Sequence, residues 1–325
     1  MTFRSCIVLH VSVIAAASLA LTGCATDDGG GGADDAILRI VASTNVYGDI
    51  AATIAGDAAE VTSIIHDAAQ DPHEYEATPR DALAIADADL VIVNGGGYDE
   101  FMHTLLEAHD NDAVVVDAVG LSGLAPDDHD HEDGGEGEGE DADEHDHHDH
   151  GEFNEHVWYS LDAMASLAEE LAVRLGELDP ADADAFASNA QTFTAALGDL
   201  TARASGIAEA QSHTHIAITE PVPLYLLEAA GLENATPEEF SEAVEEGTDA
   251  PALVVRAVID LVTGPGIALL AYNEQTVGPQ TEQVLAAAQD AGTPVVSFTE
   301  LLPEGEDYLS WMAANLDAIE AALAG

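Results

Sequence analysis

Short runs of β-branched and other apolar residues, separated by stretches of helical periodicity, most constrain the fold of this chain of 325 residues. Runs that are apolar on both faces and alternate with helices are typical of mainly parallel sheets whose two faces are covered. The alternation occurs in two groups, so it predicts an α/β fold with two lobes, each built on a mainly parallel sheet. The runs are 37–44, 61–65, 90–95 and 113–118 in the first group, and 215–220, 267–273 and 294–300 in the second.

A long amphipathic stretch lies between the two groups. Phe186, Ala190, Phe193 and Leu197 begin an apolar stripe whose members recur at spacings of four and three. A helix of about thirty residues extends roughly 45 Å, which is long enough to join two lobes. The predicted organisation is a signal peptide at 1–23, a tether at 24–36, a first lobe at 37–179 containing a loop at 127–152, a linker helix at 180–211, and a second lobe at 212–325.

The N-terminus predicts export and lipidation. Arg4 is followed by an apolar run at 7–20 that is too short to span a bilayer comfortably, which is typical of a secretory signal. The signal ends in Leu-Thr-Gly-Cys24, which resembles the lipobox of bacterial lipoproteins and implies cleavage before Cys24 and its acylation. We therefore expect an extracytoplasmic protein anchored to the cell membrane through lipid. Since Cys6 lies within the signal, any metal must be held by nitrogen and oxygen.

The charge balance excludes several partners. The chain carries 63 acidic residues against six Lys and Arg, for a formal net charge of -57. Such a surface repels nucleic acid and anionic headgroups, so we expect no nucleic-acid binding and no membrane contact except through the lipid anchor. We expect a monomer.

The segment 127–152 combines histidines and acidic residues with glycines and has almost no apolar side chain. Because nothing in it can be buried to offset the entropy of ordering, we predict a disordered loop. Its histidines are expected to bind divalent ions weakly, as an accessory to metal capture, and an inert solvated loop is the alternative. They are His129, His131, His145, His147, His148 and His150.

Four further residues are candidates for a metal site. His73 lies in a turn-rich segment after the second strand, and His156 follows the acidic loop. Glu220 and Glu300 each stand at the end of a predicted strand. Since strand ends of an open parallel sheet meet at one edge, these side chains can converge in the cleft between the lobes.

Four segments in order resemble the cluster A-I metal-binding proteins of ABC importers, the family that includes zinc-uptake solute-binding proteins. They are DPHEYEATP, GEFNEHVWYS, TEPVPLYLLEAAGL and SFTELLPEGEDYLSWM. The resemblance extends from about residue 37 to the end of the chain. It implies a two-lobe fold with a single linking helix, a metal site in the cleft, and delivery of the ion to a membrane permease driven by a cytoplasmic ATPase.

The resemblance also implies the ligand set. His73 matches the first family ligand and His156 the second. Glu220 falls where zinc-type members have a histidine and manganese-type members a glutamate, and Glu300 falls where an aspartate commonly supplies the last ligand. Two imidazoles and two carboxylates suit a tetrahedral Zn²⁺ site, which is the first expectation, while bidentate carboxylates would favour Mn²⁺.

Two alternatives remain open on the sequence. A zinc-dependent extracellular enzyme could use His73 and His156 with Glu220 or Glu74 as general base, but a site closed by four protein ligands leaves no position for activated water. An adhesion lipoprotein with a purely structural metal is the other alternative. Our first expectation is therefore a binding protein without enzymatic activity.

Overall fold

The computed structural model describes residues 37–67, 70, 72–73, 75–109, 112–125, 153–211 and 213–324, and the statements below concern these residues. Residues 37–325 form one compact unit in which strands and helices alternate. The strands are β1 Leu38–Thr44, β2 Ala59–Ile65, β3 Leu90–Val93, β4 Val114–Asp117, β5 Thr214–Ile218, β6 Leu232–Asn234, β7 Ile267–Asn273 and β8 Val295–Phe298. The helices are α1 Asn45–Ala55, α2 Pro79–Ala86, α3 Glu100–Ala108, α4 Ala118–Ser122, α5 Leu161–Leu178, α6 Ala183–Gln211, α7 Leu224–Ala229, α8 Glu238–Glu245, α9 Ala252–Thr263, α10 Pro279–Ala291 and α11 Tyr308–Ala324.

The first sheet has the order β2-β1-β3-β4, and all its neighbouring strands are parallel. Ile40 in the central strand β1 lies opposite Val61 on one side and Leu90 on the other. Every residue of β3 is buried, as expected for a strand covered by helices on both faces. The predicted runs of the first group therefore correspond to four parallel strands.

The second sheet has the order β6-β5-β7-β8 and is also parallel throughout. Its edge strand β6 was not among the predicted runs. It is only three residues long, and Glu233 and Asn234 have low strand propensity, so the sequence gives little signal for it. The predicted fold class, α/β with two mainly parallel sheets, is confirmed.

One continuous apolar core connects the two sheets. It contains Ile40 from the first sheet, Ile218 from the second, and Phe186 of α6, each buried. Trp158 and Tyr159 belong to the same cluster, and they lie in the short 3-10 helix Val157–Tyr159 that follows His156. Because the lobes share buried side chains, a large change in their relative orientation would expose apolar surface.

The long helix α6 spans 29 residues and begins three residues after the predicted start at 180. Its predicted stripe is buried, including Phe186, Phe193 and Leu197. The helix packs against α5, α1 and α11. Asn189 in it donates a hydrogen bond of 2.9 Å from Nδ2 to the carbonyl oxygen of Ile54 in α1. The bounds given above for the lobes and the linker remain predictions.

A second connection joins the segment after β8 to helix α1. Leu302 donates its N–H to Asn45 Oδ1 at 3.0 Å, and Asn45 Nδ2 donates in return to the carbonyl oxygen of Leu302 at 2.8 Å. Further along, Tyr308 donates its N–H to Asp49 Oδ2 at 2.8 Å. The chain that follows Glu300 is therefore held on the first lobe.

No helix in the described ranges is both long enough and apolar enough to cross a membrane. The predicted signal peptide, tether, lipidation at Cys24 and loop at 127–152 lie outside the described residues.

Candidate metal centre

The candidate metal centre lies where the carboxyl ends of the strands of both sheets meet. His73 follows β2, and Tyr98 follows β3 after a glycine turn. Glu220 and Glu300 each lie two residues beyond a strand of the second sheet, and Asn273 is the last residue of β7. Parallel strands place their carboxyl ends at one edge, and these side chains converge for that reason.

The turn after β3 directs Tyr98 into the centre. Gly95, Gly96 and Gly97 have φ angles of +78°, +65° and +95°, which L side chains rarely adopt. A Cβ on Gly95 would lie 2.4 Å from Asp117 Oδ1, so a side chain at this position would require Asp117 to move. The turn thereby positions the fully buried Tyr98.

Aromatic rings form one wall of the centre. The Tyr98 ring lies edge-on to the rings of His73 and His156, with centroids 4.9 Å and 5.7 Å away. Trp158 packs against both Tyr98 and His156, at 4.7 Å and 5.0 Å. The two histidine rings lie 6.2 Å apart. This wall excludes water from one side of the imidazoles and restricts their orientations.

Asn154 determines which nitrogen of His156 is available to a metal. Asn154 Nδ2 donates to the carbonyl oxygen of Pro221 at 3.0 Å, which identifies Oδ1 as the acceptor of the amide. That Oδ1 lies 2.7 Å from His156 Nδ1 and also accepts the N–H of His156 at 3.1 Å. Nδ1 therefore carries the proton, and Nε2 presents its lone pair, as is usual for metal-bound histidines.

The carboxylates Glu220 and Glu300 are held together by an amide. Asn273 Nδ2 donates to Glu220 Oε2 and, at 2.8 Å, to Glu300 Oε1. Tyr98 donates its hydroxyl to Glu300 Oε2 at 3.3 Å. Both carboxylates are almost completely buried. The sequence predicted their approach to each other but not the role of Asn273 between them.

Two more carboxylates reach the same centre and were not among the predicted site residues. Glu245, the last residue of α8, has its Oε1 3.7 Å from His156 Nδ1, and Glu155 Oε1 lies 4.0 Å from His73 Nε2. One ligand atom each of His73, His156 and Glu245 lie within 4.8 Å of one another. In the sequence, the position of Glu155 next to His156 was a signal that it belongs to the site. Nothing in the sequence distinguishes Glu245 from the many other acidic residues.

The electrostatics of the centre are those of a site deficient in positive charge. Burial, followed by the charge of Glu300, raises the pKa of Glu155 to about 7. Burial, followed by the charges of Glu155, Glu220, Glu300 and Glu242, raises the pKa of Glu245 to about 9. Burial, and then His73, hold the pKa of His156 well below its usual value, so this imidazole stays neutral. A neutral imidazole beside crowded carboxylates forms a pocket suited to a cation.

No arginine of the described residues supplies that positive charge. Arg39, Arg174, Arg203 and Arg256 pair with carboxylates elsewhere, and Arg80 is exposed at the start of α2. The chain contains no lysine.

All four predicted ligands thus line one centre. His73 and His156 form a group with Glu245, while Glu220 and Glu300 are bridged by Asn273 beside it. Glu74, proposed as a general base in the enzyme alternative, and the six loop histidines lie outside the described residues. Exposed His213 and His215 lie instead beside Glu233, with their Nδ1 atoms 2.9 Å and 3.7 Å from its carboxylate oxygens.

Comparison with known proteins identifies a family and relatives of this chain. Residues 40–322 match the family model described as "Zinc-uptake complex component A periplasmic". The manganese-binding lipoprotein MntA of Halalkalibacterium halodurans is 28% identical over 321 residues, which cover 96% of this chain and 97% of that protein.

Solved structures share the fold. The SBP FpvC from Pseudomonas aeruginosa in complex with Mn²⁺ gives a TM-score of 0.68 at 23% identity, covering 88% of this chain and 98% of that chain. The periplasmic zinc-binding protein TroA from Treponema pallidum gives 0.66 at 19% identity, covering 87% and 98%. At these identities the likeness establishes the two-lobe architecture.

Proposed function

The chain belongs to the zinc-uptake complex component A family, whose members are metal-binding substrate-binding proteins of ABC importers and not enzymes, and we propose that it captures a divalent transition-metal ion outside the cytoplasmic membrane and delivers it to a membrane permease. The observation that carries the proposal is the pairing of the buried His156 with the more exposed His73 among carboxylates that no arginine or lysine of the described residues neutralises. A cation offsets the cost of burying those charges.

The proposed ligands are His73, His156, Glu220 and Glu300. The fixed tautomer of His156 supports its assignment, because Nε2 can donate its lone pair without first losing a proton. Two carboxylates and two neutral imidazoles balance the charge of a divalent ion. Protein side chains surround the centre, which supports retention of an ion over activation of a bound water.

We place manganese first as the transported metal, whereas the sequence alone put zinc first. Four buried or half-buried carboxylates line the same centre as the two imidazoles, and oxygen-rich sites suit harder ions such as Mn²⁺. They are Glu155, Glu220, Glu245 and Glu300. The relative MntA, whose name describes it as manganese-binding, covers nearly the whole chain. Zinc is the second candidate, because the imidazole pair binds Zn²⁺ strongly in the usual order of divalent affinities.

The remaining parts of the function rest on the sequence. We propose cleavage before Cys24, lipid anchoring there, and a tether at 24–36 that keeps a monomeric two-lobe body close to the permease. The histidines of the 127–152 loop would bind further ions weakly. Removing residues 127–152 should abolish the weak sites and leave the tight site intact.

The test is metal analysis followed by titration. Protein purified without added metal should contain about one tightly held ion, by mass spectrometry of the metal. His73→Ala and His156→Ala should each weaken that site at least about 10-fold in chelator competition. His215→Ala, an exposed histidine outside the centre, is the matched control and should leave the affinity unchanged. Equal effects of the three substitutions, or no tight site in the wild-type protein, would refute the proposal.

A further inference from the structure

Glu245 enters the centre from an element that the four proposed ligands do not involve. It is the last residue of α8, a helix of the second lobe. Phe240 and Val244 of this helix are buried against Val258 and Leu270 in the core of that lobe. The backbone before Glu245 is therefore anchored, and its side chain extends from a fixed point toward His156.

The position of the Glu245 carboxylate suits a metal contact. Ligand atoms of His73, His156 and Glu245 lie within 4.8 Å of one another. Ligands about 2.0–2.2 Å from one ion are separated by roughly 3–4 Å, so small side-chain movements would bring these three groups onto the same ion.

Glu245 Oε1 also lacks a partner that would explain its burial. The atom is inaccessible to solvent, and within the described part of the chain it forms no hydrogen bond. By contrast, Glu300 accepts hydrogen bonds from Asn273 and Tyr98, and Glu220 accepts one from Asn273. A buried carboxylate oxygen without a donor is costly, and a bound cation would remove that cost.

A cavity borders Glu245. Its volume is about 340 Å³, and its lining includes Phe153, Asn154, Glu155, Pro221, Glu242 and Glu245. Four of its ten lining residues are acidic, so the cavity attracts cations. Two of the lining residues, Glu155 and Glu245, are the carboxylates that also approach His73 and His156.

We propose that Glu245 is a metal-contacting residue that supplies a carboxylate oxygen to the ion bound by His73 and His156 and raises the affinity of the centre for manganese relative to zinc. This inference rests on the proposed function. A carboxylate added to the four proposed ligands takes the coordination number beyond four. Zinc in closed protein sites is almost always bound by four ligands, whereas manganese favours six ligands that are mostly oxygen atoms. The added carboxylate therefore raises the affinity for manganese more than the affinity for zinc.

The test compares Glu245→Gln with Glu246→Gln, which makes the same chemical change at the exposed neighbouring residue. Dissociation constants for Mn²⁺ and Zn²⁺ are measured by chelator competition at pH 7. We expect Glu245→Gln to weaken Mn²⁺ binding at least about 10-fold and Zn²⁺ binding clearly less. Glu246→Gln should change neither. A merely structural role of Glu245 would weaken both metals equally, and that result, or no change for either metal, would overturn the inference.

A second measurement does not depend on a variant. In a crystal structure of the wild-type protein loaded with Mn²⁺, located by anomalous scattering, a Glu245 oxygen should lie roughly 2.0–2.2 Å from the ion. An ion bound by His73 and His156 with Glu245 directed elsewhere would refute the role of Glu245 and leave the proposed function intact. Absence of an ion at those histidines would instead refute the proposed function.

Discussion

Asn154 donates from Nδ2 to the carbonyl oxygen of Pro221 at 3.0 Å, and so links the segment that carries His156 to the residue after Glu220. The same amide accepts from the ring of His156. One side chain thus sets the tautomer of a proposed ligand and ties two ligand-bearing segments together. Tyr225 strengthens the tie by donating its hydroxyl to the carbonyl oxygen of Asn154 at 2.6 Å.

Replacing Asn154 should weaken metal binding although this residue is not a proposed ligand. Asn154→Ala removes the acceptor that holds His156, and we expect a loss of about 10- to 100-fold in affinity for Mn²⁺ or Zn²⁺. Asn154→Asp retains an acceptor for the ring and should lose less. Chelator competition provides the measurement. Equal affinity of Asn154→Ala and the wild type would show that the tautomer is fixed by other groups.

Metal affinity should rise with pH between about 7 and 9. The pKa of Glu155 is raised to about 7 and that of Glu245 to about 9, so metal-free protein carries protons on these carboxyls that an arriving ion must displace. The lowered pKa of His156 removes it as a competitor in this range. Calorimetry in buffers of different ionisation enthalpy should detect the release of protons on metal binding. Glu245→Gln should release fewer protons than the wild-type protein. Affinity that is constant from pH 7 to 9 would contradict this prediction.

The stability of the metal-free protein should fall over the same pH range. A carboxyl whose folded pKa is raised binds more protons in the folded than in the unfolded state between the two pKa values, so raising the pH destabilises the folded state there. For Glu245 that interval runs from about 4.3, the ordinary value, to about 9. Thermal unfolding with a chelator present should give a midpoint that decreases from pH 7 to 9. Glu245→Gln should flatten the decrease, and an unchanged slope in that variant would refute the assignment.

The glycine turn after β3 offers a prediction with an internal control. Gly95 and Gly123 both have positive φ, +78° and +67°, but only at Gly95 would a Cβ collide with a neighbour, Asp117. Gly123→Ala should lower the free energy of unfolding by about 1–2 kcal/mol, the cost of the left-handed conformation. Gly95→Ala should cost more and should also weaken metal binding by displacing Tyr98. Denaturant unfolding measures both, and equal losses would contradict the proposed crowding at Gly95.

The sequence correctly predicted the strands and helices whose pattern of apolar and polar residues matches their burial in the structure. The strands around Ile40 and Leu90 are apolar on both faces, and the stripe on α6 has helical spacing, so both were predicted near their observed bounds. His73 and His156 stood out because the segments that carry them, DPHEYEATP and GEFNEHVWYS, resemble motifs of a metal-binding family. Strand β6, whose residues after Leu232 are polar, gave no such pattern.

The site was only partly predictable, because tertiary packing creates much of it. Glu245 reaches His156 through the packing of α8 on the second sheet, which no local pattern encodes. Its sequence neighbours Glu242 and Glu246 are also acidic, so spacing does not single it out among 63 acids. Asn273 ends a predicted strand, yet its contact with two distant carboxylates follows only from the order of the strands in the sheet.

The hydrogen bonds between Leu302 and Asn45 mean that α6 is not the only attachment between the lobes. Two lobes joined by one helix can open widely about it, whereas lobes joined at two separate places can change their relative orientation only slightly. We therefore expect spontaneous escape of the ion to be slow and to depend on local movement around α8. Rapid release of the ion would then require an external force that changes the relative orientation of the lobes, and the proposed permease would supply it on binding.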